Sequence, residues 1–135
     1  MLRIIVGIFF VLHGLVHLLY FGQSGRLFEL RPEMIWPDNS WAFVKLLGNE
    51  TTRVLASILL ILAAIGFVAG GIGVFARQAW WRPLVVGAAA FSAMIYLLLW
   101  DGRLQNLSDK GGVGILIDAV MIGILLFLQW PGEGF

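Results

Sequence analysis

The chain has 135 residues, no cysteine, 60% hydrophobic residues and 13% charged residues. Its mean hydropathy is +0.92. That composition excludes a disordered chain and leaves too little polar surface to cover a water-soluble globule. A formal net charge of +1 offers no basic field for nucleic acid, and the lack of cysteine removes disulfides, thiolate metal sites and iron–sulfur clusters.

Four apolar runs follow one another and predict membrane spans at about residues 3–22, 53–76, 83–100 and 112–130, the last interrupted only by Asp118. In lipid, backbone groups must be satisfied within each segment, so the runs read as helices. The expected fold is therefore all-α: a single integral membrane domain, residues 1–135, built as a four-transmembrane-helix bundle. A long, partly helical loop joins helices 1 and 2. The first run ends in His17, Tyr20, Phe21 and Gly22 rather than in a small-residue cleavage site, so it reads as a span and not as a removable signal peptide. Trp36, Trp41, Trp80, Trp81, Trp100 and Trp130 fall at or beyond the span ends, where indole rings favour the headgroup level.

Local signals mark the boundaries. Asn49 is expected to cap the second helix, and Pro83 to open the third, where a missing N–H costs nothing. Within the long connection, Asp38, Asn39 or Ser40 is placed to cap a short helix from Trp41 to Leu47 that Gly48 would end. That segment reads as a structured cap on the bundle or as a substrate gate. Six basic residues in loops one and three are matched by six acids, whereas the middle turn is short, basic and free of acids. That turn favours both termini in the cytoplasm, against the raw Lys/Arg count.

The intramembrane polar residues gather in one leaflet, under the long loop. At 1.5 Å per residue, His17 and His13 lie about 7 Å and about 13 Å deep, level with Tyr96 and Ser92, and Asp118 lies at roughly 10 Å. Ser57 joins them from the second helix. His13 and His17 share one face of helix 1, and Ser92, Tyr96 and Trp100 form a stripe on helix 3. An ionised aspartate within the bilayer is costly, so Asp118 is expected to be protonated, paired or hydrated. The spacing suggests an Asp118–His17 pair, with His13 as alternate partner and Tyr96 completing the network. Three readings follow: a register lock satisfied by Lys110, a ligand or proton site, or a metal held by two histidines and Asp118. Gly14 stands where a metalloprotease helix requires glutamate, and the two histidines share a face, which excludes bis-histidine haem ligation. No metal ligand set is assigned. Glycines on helices 2 and 3, among them Gly66, Gly70, Gly71, Gly73 and Gly87, read as internal close-packing surfaces or as an oligomer face.

His-Gly-Leu-Val-His-Leu in the first span, Trp80-Trp81-Arg82-Pro83, Ser92 with Trp100-Asp101, and a glycine-opened fourth span resemble the small DoxX-like four-helix membrane proteins of prokaryotes. The resemblance covers most of the chain and implies quinone-linked or accessory-subunit roles. The functional expectation is a multi-pass protein of the cell membrane without catalytic activity of its own. It would act as an accessory subunit or as a binding module for a quinone or lipid. His13, His17, Tyr96, Asp118, Ser92 and Trp100 would form its ligand or proton-relay site, and Phe9, Phe10 and Trp100 would pack the ligand's body. A structural subunit of a larger membrane complex and an oligomeric proton-coupled transporter are the alternatives. The expected partners are the bilayer and either such a complex or further copies of the chain.

Overall fold

The computed structural model describes residues 1–132. Among these the chain is all-helical, with no strand. Its α-helices are α1 (Leu2–Ser24), α2 (Val44–Phe75), α3 (Trp81–Leu99) and α4 (Gly112–Ile122). A 3-10 turn, Leu107–Lys110, precedes α4, and a π-helical turn, Gly123–Phe127, extends it. Three of them, α1, α2 and α3, are long and apolar enough to cross a membrane, and the chain is a membrane protein on that ground. The fourth apolar helix, Gly112–Phe127, is shorter.

The helix starts differ from the local expectations for physical reasons. Helix α2 begins at Val44, and Gly48 interrupts it with φ 77 and ψ 170. The short segment before Gly48 is thus a separate piece of helix, and glycine supplies the left-handed bend between the two. Asn49 does not cap α2. Its Oδ1 accepts the Asn39 backbone N–H at 2.9 Å, tying the connection between α1 and α2 to the base of α2. Helix α3 begins two residues before Pro83, which remains in the first turn where no intrahelical donor is needed.

Packing follows chain order: α1 lies against α2, α2 against α3 and α3 against α4, while α1 and α4 meet only sparsely. Close approach is made by glycine. A Cβ on Gly70 would stand 2.3 Å from Val85 Cγ2, and one on Gly71 would stand 2.8 Å from the Gly7 carbonyl oxygen. Gly66 and Gly73 face Ala88 and Trp80 in the same way, so these four serve internal contacts. Gly87 faces open space.

Residues 25–43 are held by polar ties. Gln23, fully buried at the end of α1, donates from Nε2 to the Met34 carbonyl at 2.8 Å and accepts the Leu30 N–H at 2.9 Å. Asp38 receives Arg53 through both carboxylate oxygens, at 2.7 and 2.6 Å, and Arg26 at 3.0 Å. Ser40 donates to the Leu98 carbonyl at 2.6 Å. Trp36 is buried against Tyr20 and Tyr96. Gln23 of α1 and Arg26, just beyond it, donate to its carbonyl.

Candidate functional site

The polar cluster is built by α1, α3 and α4. Helix periodicity puts His13 and His17 on one face of α1, and both are buried. Asp118, with no exposed surface, reaches them from α4. His13 Nε2 lies 3.0 Å from Asp118 Oδ1, so the expected Asp118–His17 pair is replaced by Asp118–His13. His17 is turned elsewhere. Its Nδ1 lies 3.0 Å from the His13 backbone carbonyl and its Nε2 lies 2.7 Å from Ser92 Oγ. A carbonyl only accepts, so Nδ1 donates there, and in the neutral ring Nε2 accepts the Ser92 hydroxyl. Depth alone favoured neither histidine, and the azimuth of α4 around the bundle decided between them.

Aromatic rings fill the space around the cluster. Phe67 of α2 meets His13 edge-on at 4.6 Å and stacks on His17 at 5.2 Å. Tyr96 packs on His17 at 5.8 Å and continues to Tyr20 at 5.2 Å and Trp36 at 5.8 Å. Gly111, at φ 83, lies so close beneath the Tyr96 ring that a Cβ there would stand 2.3 Å from Cδ1.

Several expected members lie outside the cluster. Trp100 ends α3 and donates its indole N–H to the Arg103 carbonyl at 2.8 Å, away from the histidines. Ser57 bonds the Arg53 carbonyl and Ser24 instead. Lys110 does not snorkel to Asp118, because it pairs with Asp101 at 3.0 Å. Among the described residues no three of His, Cys, Asp and Glu converge as a metal site. Asp118 Oδ2 is buried without a hydrogen-bond partner.

A groove of ≈ 510 Å³ opens along the sparse α1–α4 seam in the other half of the bundle. Its walls include Ile5, Phe9 and Phe10 from α1 and Ile117, Val120 and Met121 from α4, with Leu2, Trp130 and Pro131 at its outer end. The lining is apolar and aromatic throughout. The His13–Asp118 pair closes the seam one helical turn inward of the groove, where Phe9 stacks on His13 at 6.0 Å. Neither Asp118 nor His13 is among the residues that line the groove. Of the expected ligand-packing residues, Phe9 and Phe10 line it and Trp100 does not.

A second, polar depression of ≈ 330 Å³ lies on the loop side, bordered by Trp36, Asp38, Asp101 and Lys110. No protein-family model, no curated protein and no solved structure matches the chain.

Proposed function

We propose that the protein is a multi-pass protein of the cell membrane that binds the apolar body of a lipophilic small molecule, a lipid or a quinone, in the α1–α4 groove. It does so as a binding module or as an accessory subunit. The single observation that carries this reading is the groove itself: apolar throughout, open along one seam, and clasped at its inner end by a buried polar pair. A polar pair is an effective clasp there because interhelical hydrogen bonds in hydrocarbon hold helices together without an apolar driving force between them.

In this reading α4 and its π-helical turn form the fourth span. Their 11 and 5 residues reach about 24 Å, and the chain to Trp130 and Pro131 completes the crossing of a hydrocarbon core about 30 Å thick. Residues 25–43 serve as a structured cap on the opposite face. Membership among the DoxX-like proteins remains part of the proposal and rests on the short motifs named above.

Native mass spectrometry of protein extracted gently from its own membrane, followed by organic extraction, tests the reading. Val120 lines the groove yet is more than half exposed, so Val120→Trp fills the groove without overpacking the core. A defined lipid or quinone is expected on the wild type and absent from Val120→Trp. A stoichiometric protein partner with no small molecule on either form would overturn it in favour of a structural subunit.

A further inference from the structure

On the loop side, Arg26 and Arg53 pair with Asp38, Arg31 with Asp109 and Lys110 with Asp101. Arg82 lies at the other end of the bundle. Its guanidinium donates to the Leu125 carbonyl at 3.0 Å and to the Pro131 carbonyl, both residues of the groove lining. It also lies over the Trp81 ring at 4.8 Å, and that ring packs against Phe10 of the groove wall. Two carbonyls and an indole face orient the cation without neutralising it.

From this we infer that the groove's occupant is an anionic phospholipid. One acyl chain lies along α1 and α4 toward Phe9, and the negative head rests at the outer end beside Arg82. The inference builds on the groove reading above and adds the ligand's charge and direction. The direction follows from the position of Arg82, half-buried beside the outer end of the groove through its bonds to the Leu125 and Pro131 carbonyls. Charge complementarity selects the head, because a guanidinium held at the membrane surface attracts anionic lipid by about 1 kcal/mol, or about fivefold.

The full chain in detergent micelles carrying equal amounts of palmitoyl-oleoyl phosphatidylglycerol and phosphatidylcholine provides the test, with bound lipid read by native mass spectrometry. The wild type is expected to retain phosphatidylglycerol about fivefold over phosphatidylcholine. Arg82→Gln should bring the ratio close to one with total bound lipid little changed, and Arg82→Lys should keep the preference. Equal retention of both lipids by the wild type would overturn the charge assignment while leaving the groove intact. So would Gln and Lys variants that lose the preference alike, because Arg82 would then act only through its bonds to Leu125 and Pro131. If Val120→Trp holds as much of both lipids as the wild type, the groove reading itself falls, and this inference falls with it.

Discussion

His13 Nε2 and Asp118 Oδ1 stand 3.0 Å apart across the seam between the first and last helices, which are far apart in sequence and pack only sparsely. That position makes the pair a clasp whose removal is felt at the seam. Replacing His13 by leucine leaves Asp118, already lacking a partner at Oδ2, with no hydrogen bond at all. Replacing both by leucine removes the orphaned acid as well. We therefore expect His13→Leu to lower stability by about 3–5 kcal/mol and the double variant to lower it less. Reversible unfolding in mixed micelles measures both, and a double variant less stable than His13→Leu would refute the clasp.

His17 should occupy a single tautomer, with the proton on Nδ1, because a backbone carbonyl faces that nitrogen. Nitrogen-15 NMR of selectively labelled protein at a pH where the ring is neutral reads this directly. Ser92→Ala should leave the tautomer unchanged and cost about 1 kcal/mol, as one buried hydrogen bond is lost. A proton found on Nε2 instead would mean that Ser92, not the carbonyl, orients the ring.

Two glycine-to-alanine changes should move in opposite directions. Gly111→Ala places a methyl group against the Tyr96 ring at a backbone angle that disfavours side chains, and should destabilise by more than about 2 kcal/mol. Gly87→Ala meets nothing within 4 Å on α3, so it should be neutral or stabilise by up to about 1 kcal/mol. Melting temperatures of the two variants against wild type decide the point. A strongly destabilised Gly87→Ala would indicate that this face is covered by another chain.

Asp38→Asn should loosen residues 25–43 more than the helices. Asp38 holds Arg26, just beyond α1, and Arg53 of α2, and the amide loses both the charge and the acceptor that Oδ2 offers to Arg53 Nη2. Hydrogen exchange should quicken at the Met34 and Asp38 amides, which bond the Arg31 and Ile35 carbonyls, while the centre of α2 keeps its protection. Unchanged exchange in this segment would show that Gln23 suffices to hold it.

Much of this protein was legible in the order of its residues. The apolar runs announced helices because backbone polar groups in hydrocarbon have no other partner than their own segment. The spacing of His13 and His17, and of Ser92 and Tyr96, placed each pair on one helix face because the α-helical period requires it. Gly48 was recognisable as the break after a short helical segment, and it interrupts α2 at that point.

What periodicity could not supply was the rotation of one helix about another. That rotation gave Asp118 to His13 rather than His17, kept Trp100 outside the cluster and turned Lys110 toward Asp101. Nor does any local pattern state which pair of helices will pack poorly. Only the tertiary arrangement, in which α1 and α4 meet sparsely, opens an apolar groove opposite the loop side and sets Arg82 beside it. Composition and period are properties of each segment, whereas a seam is a property of two segments that the chain keeps far apart.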